Sequence, residues 1–187
     1  ADKRYSVSTI STEIVAGLEN QVEIELYLEG EMEPGLRKIQ TEIIEKIAVL
    51  NAYSSKPIRV RIVDPYSIVN TTKQEGFIQE LLNKGVSRIS FRHKTEKGVA
   101  TKYIFPGAVI RYANKEMAVN FLKNNPSFSY EVNFNHSVET IEFELVNTLQ
   151  KLMRTNKSTV AFLQGQGEAN QYEVADFARE LSTDFIV

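Results

Sequence analysis

Two glycines, Gly165 and Gly167, stand in the run Gln164-Gly165-Gln166-Gly167-Glu168, between an apolar stretch and a helix-like pattern. A turn there offers backbone N–H groups at a helix start, which is where phosphates bind. The spacing departs from G-x-G-x-x-G, because Asn170 occupies the place of the third glycine, and no phosphate-binding lysine follows. Glu168 would also repel an anion near a helix start. The run therefore reads first as a tight structural turn and second as part of a ligand site. Asp64-Pro65 falls at the carboxyl end of an expected parallel strand, where ligands of open α/β sheets collect, although a strand-ending turn explains it equally well. Tyr66, Tyr103 and Phe105 offer aromatic contact surface, with membership of the core as the plainer reading. The histidines, His93 and His136, lie far apart without the spacing of a metal site. His93 shares the apolar phase of its strand, and His136 falls just before an expected helix cap at Ser137. No paired carboxylates, nucleophilic triad or metal cluster emerges.

The elements that must position these residues begin with a short amphipathic helix from Ser8 to Asn20. Residues 22–28 alternate Val22, Ile24, Leu26 and Leu28 with Glu23 and Glu25, the period-two signature of a strand. After a loop over 29–35, Leu36, Ile39, Ile43, Ile47 and Leu50 form the stripe of a covering helix. Residues 58–63 make a second strand, so strand, helix, strand implies a right-handed parallel crossover. Thr72 with Glu75 reads as a capping box for a further helix that ends at Gly85.

Residues 88–122 return to strand character several times and read as a β-meander kinked at Pro106-Gly107. Pro106 has no N–H to donate, so it marks a sheet edge, a bulge or a break between two strands. Residues 123–135 read as a polar loop, followed by a helix capped at Ser137 and striped by Val138, Ile141, Leu145, Leu149 and Leu152. Beyond the polar step at 155–157, residues 160–163 read as a short buried strand, then a helix capped by Asn170 with Glu173, then the first residues of another strand at 184–187.

The expected fold is thus α/β: a thioredoxin-like three-layer domain over 1–156, with parallel strands plus an antiparallel meander and no cysteines. The start of a second βα unit follows over 157–187, which reads as broken off within that unit.

The 187 residues suffice for a core without staples. A net charge of −2 with no basic run argues against nucleic acid as a partner. The absence of cysteine excludes disulfides, thiol redox chemistry and cysteine-based zinc sites. No cofactor is implied. No apolar run reaches the ~20 residues that span a bilayer.

Three stretches carry a family resemblance: Lys3-Arg4-Tyr5-Ser6-Val7-Ser8, Lys102-Tyr103-Ile104-Phe105-Pro106-Gly107-Ala108, and the run from Val160 to Glu168. In order along the chain they resemble GldG-type auxiliary subunits of ABC transport systems, the gliding-motility-associated ABC transporter proteins of Bacteroidetes. The resemblance implies a membrane-anchored protein of the cell inner membrane, with its soluble region extracytoplasmic (periplasmic) and its anchors outside this chain. It also implies an ABC ATPase and a permease as partners. A scaffold of this shape without its nucleophile binds rather than catalyses, by analogy of fold.

The first functional expectation is therefore a non-enzymatic domain acting through protein contacts. Its contact surface is placed at the meander edges over 97–105 and 116–122, with Tyr103 and Phe105. A homodimer is compatible with this. The alternative is a small-molecule or carbohydrate site at the strand carboxyl ends, using Asp64, Gln164, Gly165, Gln166, Gly167 and Glu168. It predicts a concave polar pocket there.

Overall fold

Ser8 opens the first helix, α1 (Thr9–Ala16), by accepting the Ser11 N–H on its hydroxyl at 3.1 Å. The computed structural model to which this helix belongs describes residues 7–95, 98–123, 125–154, 159–163, 167, 169–170, 172–182 and 185–186. The chain divides into two compact units, Ala1–Leu152 and Met153–Val187.

In the first unit, β1 (Val22–Leu26) leads through α2 (Pro34–Tyr53) to β2 (Ile58–Ile62), which pairs parallel with β1. The helix starts two residues earlier than its apolar stripe suggests, because Pro34 fixes φ for a first helical position where its missing N–H costs nothing. A 3₁₀ turn, Pro65–Ser67, joins β2 to α3 (Thr71–Asn83). Asn70 caps α3 by accepting the Lys73 N–H at 2.9 Å, so the cap expected at Thr72 lies two residues upstream. Gly85, expected just past the helix end, takes a φ of +92° there.

The expected meander is two separate ribbons. β3 (Ile89–Thr95) and β4 (Gly98–Ile104) form a two-stranded hairpin. β5 (Gly107–Tyr112) and β6 (Lys115–Asn120) join the main sheet, whose order is β2-β1-β5-β6. Of the readings open for Pro106, a break between strands is the one realised. It cannot donate to a ladder, and its carbonyl turns instead to the Phe121 N–H at 2.9 Å. β5 runs antiparallel to β1, placing Ala108, Ile110 and Tyr112 on the same side as Leu26, Ile24 and Val22.

That side is apolar and carries α1, α2 and α4 (Tyr130–Met153). The opposite side holds Glu23, Glu25, Tyr27, Val109 and Arg111. At one end Tyr27 and Val109 pack under α3 through Ile78 and Leu81, with Val86 and Phe105. Helices on both faces of a mixed sheet make the three-layer α/β architecture, with the thioredoxin-like pairing of parallel β1–β2 and antiparallel β5–β6. The β3–β4 hairpin is inserted between α3 and β5.

α4 begins seven residues before the expected cap. Ser129 accepts the Val132 N–H, while Ser137 is fully buried within the helix. The Ser137 hydroxyl donates to the Asn133 carbonyl at 2.7 Å and accepts the Lys123 N–H at 2.8 Å. Asn133, read as a loop residue, is buried and bonds both the N–H and the carbonyl of Asn125. These polar side chains give the incoming segment the backbone partners that burial demands, which is why a polar stretch is helical here. His136 accordingly sits inside α4 with its ring edge-on to Phe128.

In the second unit, Asn170 accepts the N–H of Tyr172 and of Glu173, and the Glu173 carboxylate accepts the Asn170 N–H at 2.8 Å. This reciprocal cap precedes α5 (Ala175–Ser182). The strand expected over 160–163 is not formed: Thr159 makes a lone parallel bridge to Ile186, and Leu163 is 85% exposed. One bridge gives no ladder on which a strand can be assembled.

Candidate functional site

The carboxyl ends of β1 and β2 meet the inserted hairpin, and an open cleft of about 370 Å³ lies between them, lined on one side by Glu29, Gly30, Glu31, Asp64 and Tyr66. Its other wall is Thr101, Lys102 and Tyr103 of β4. Each part has a local cause. Gln40, buried on α2, donates to the Leu28 carbonyl at 2.6 Å and to the Glu29 carboxylate at 2.9 Å. Glu29 in turn accepts the Gly30 N–H at 2.9 Å, so the turn after β1 is pinned from the helix beneath it. Gly30 has a φ of +107°, and a Cβ there would stand 3.4 Å from Asp64 Oδ2. Close approach of the two strand ends and a left-handed backbone both suit glycine.

Asp64 accepts the Tyr66 N–H at 2.8 Å and so starts the 3₁₀ turn, which carries Tyr66 into the cleft wall. The Tyr66 ring stacks on Phe105 at 6.1 Å between centroids. Its hydroxyl oxygen is shut off from solvent without a hydrogen bond of acceptable geometry. Burial raises the Tyr66 phenol above its usual value, with the Arg88 guanidinium pulling the other way. Arg88 also lies over the Tyr103 ring, 4.6 Å from its centroid. Lys102 is ion-paired with Glu31 across the cleft.

The expected contact residues thus part company. Tyr103 is 47% exposed, whereas Phe105 is wholly buried in the cluster with Tyr27, Leu81 and Val109. Phe105 is therefore a core residue and supplies no contact surface. Asp64 lines the cleft. Gln164, Gly165, Gln166 and Glu168 lie outside the described residues, and Gly167, with a φ of +92°, belongs to the second unit. The His93 backbone pairs with Ala100 in the hairpin, and its side chain lies outside the described set. Among the described residues no group of three or more acidic or histidine side chains is arranged to hold a metal. Thr101 and Lys102 fall within the meander edge expected over 97–105, whereas Glu29, Gly30, Glu31 and Arg88 were not legible as site residues. The signal present was a glycine between two glutamates directly after a strand.

Beside the cleft, the open end of the sheet carries an ion network. Glu25 pairs with Arg61 and Arg111, Arg111 with Glu116, and Glu116 with Lys84. Burial raises the Glu25 carboxyl, but hydrogen bonds from Arg61 and Tyr27 and the charge of Arg111 outweigh it and hold the group below its usual value.

Over residues 1–111 the chain matches the family described as a domain of unknown function, DUF7088. No curated protein and no solved structure matches it.

Proposed function

The chain belongs to the DUF7088 family; we propose that it is a non-enzymatic, extracytoplasmic binding domain of a membrane-anchored ABC transporter auxiliary subunit, of the gliding-motility or export type. The observation that carries the binding role is the cleft where β1 and β2 end against β4. It lies where open α/β sheets take their ligands, and its β4 wall belongs to a hairpin paired with nothing else among the described residues. The transport setting rests on the resemblance at residues 3–8, 102–108 and 160–168 to GldG-type subunits. An ABC ATPase and a permease are then the partners, and the domain lies on the periplasmic side of the inner membrane. Purification of the protein from its native membranes, followed by mass spectrometry, tests this. Recovery of an ABC ATPase and permease in fixed proportion supports it; recovery of neither overturns it.

A second reading, a small-molecule or carbohydrate site, is favoured by the pairing of Asp64 with two tyrosines in the cleft. Saccharide titration that shifts the Tyr66 and Tyr103 signals supports that reading, and unchanged signals dismiss it.

A further inference from the structure

Three consecutive residues of β4, Thr101, Lys102 and Tyr103, line the cleft together. Successive side chains of a strand point to opposite faces, so a cavity that meets three in a row meets the strand along its edge rather than on either face. β4 pairs with β3 on one edge, and no other strand pairs with it among the described residues. In an antiparallel pair alternate residues direct both their N–H and carbonyl groups away from the partner. The cleft is therefore bordered by a strand edge with hydrogen-bonding groups to offer.

The facing wall carries the carboxylates of Glu29, Glu31 and Asp64, against two cations, the Lys102 ammonium and the Arg88 guanidinium that lies over Tyr103. Lys102 is already paired with Glu31, which leaves the slot an excess of negative charge. Glu31 remains two-thirds exposed in that pairing, at 66%, so it can still be reached.

The geometry points to a strand-addition site: the cleft takes an extended polypeptide segment bearing lysine or arginine. Such a segment adds its main chain to the edge of β4 and directs its basic side chains to Glu29, Glu31 and Asp64. Main-chain bonding supplies the attachment and the carboxylates supply the selection. Tyr103, whose ring Arg88 contacts and which is about half exposed, gives the aliphatic stems of the basic side chains a surface to lie on. This deepens the protein-contact reading above by naming the chemistry of the partner.

The test uses the purified chain and an end-blocked octapeptide of alternating valine and lysine, with its valine–glutamate counterpart as control. Binding is followed by backbone amide resonances and hydrogen exchange at low salt. The lysine peptide is expected to bind at least about tenfold more tightly than the glutamate peptide, as charge selection at a surface requires, and to slow exchange of amides within 101–103. The double variant Glu31→Gln, Asp64→Asn keeps a side-chain acceptor for the Tyr66 N–H and is expected to weaken the lysine peptide by about tenfold with an unchanged circular dichroism spectrum. Equal affinity for both peptides, binding of neither, or lysine-peptide binding that leaves exchange in 101–103 unaltered each overturns the proposal. An oligosaccharide that shifts these amides when the peptide does not also overturns it. The transporter reading fails on co-purification instead, so the two can fail separately.

Discussion

Tyr27 donates its phenolic hydrogen to Glu25 at 2.8 Å, joining the apolar cluster under α3 to the ion network on the same face of the sheet. The ring is 1% exposed and packs edge-on to Phe77 at 5.9 Å. The carboxylate it bonds also holds Arg61 and Arg111. One side chain thus closes the boundary between the dry and wet parts of the sheet.

The alkaline limb of stability follows from this bond. Burial, with Glu25 beside it, pushes the Tyr27 phenol well above the ordinary 10.0. The unfolded chain loses that proton first, so the Tyr27 contribution is full below pH 10.0 and is lost as pH rises above it. Tyr27→Phe removes this contribution and leaves Glu25 one donor short, at a cost of about 1–3 kcal/mol near neutrality. Urea melts at pH 7 and above 10 check both: the variant is less stable at neutrality and flatter in alkali.

The acid limb has the opposite sign. Glu25, Glu116 and Glu142 all sit below the ordinary 4.5. Burial raises Glu142, but the Ser11 hydroxyl and the Ser8 N–H outweigh it, while the Lys84 ammonium lowers Glu116. Their contribution is full above pH 4.5 and is lost as pH falls through the lower folded values. Glu142→Gln is predicted to flatten the acid limb in melts between about pH 5 and about pH 2, the span over which carboxylates titrate.

Gly107 tolerates no side chain. A Cβ there would meet the Val119 carbonyl oxygen at 2.7 Å, Asn120 Oδ1 at 2.8 Å and Val86 Cγ1 at 3.0 Å. Gly107→Ala therefore forces β5 and β6 apart and costs about 1–3 kcal/mol. Thermal melts of the variant against the parent chain give the value.

Tyr103 in the hairpin and Phe105 just beyond its end are predicted to behave differently. Tyr103→Lys alters an exposed residue and costs about 1 kcal/mol through loss of its ring contact with Arg88, yet it adds a positive charge to the slot and weakens partner capture. Phe105→Ala empties a core position and costs about 3–5 kcal/mol. Denaturant melts, with binding of the valine–lysine peptide as the second readout, separate the two effects.

Where apolar periodicity was strong, the sequence read well. The stripe from Leu36 to Leu50 and the alternation at 22–26 gave α2 and β1, and with them the parallel crossover to β2. The misread segment, 130–137, is helical because Asn133 and Ser137 are buried as hydrogen-bond partners for the incoming chain, and periodicity does not encode such pairing. Asp64 was legible as a strand-end residue. Its neighbours Glu29 and Glu31 were not, because only the return of β4 alongside the β1 loop brings them to the meander edge that holds Lys102. Phe105 was misplaced for a related reason: Tyr103 and Phe105 share a phase, but the strand ends between them at Ile104 and the chain turns into the core.

The most direct test of the central claim places a photoreactive amino acid at position 103 and irradiates the protein in its native membranes. Position 53 serves as the control, because Tyr53 is also exposed, at 57%, and does not line the cleft. The account predicts an adduct at 103 with the permease of an ABC system, identified by mass spectrometry, and none at 53. Equal labelling at the two positions, or no adduct at 103, would contradict it.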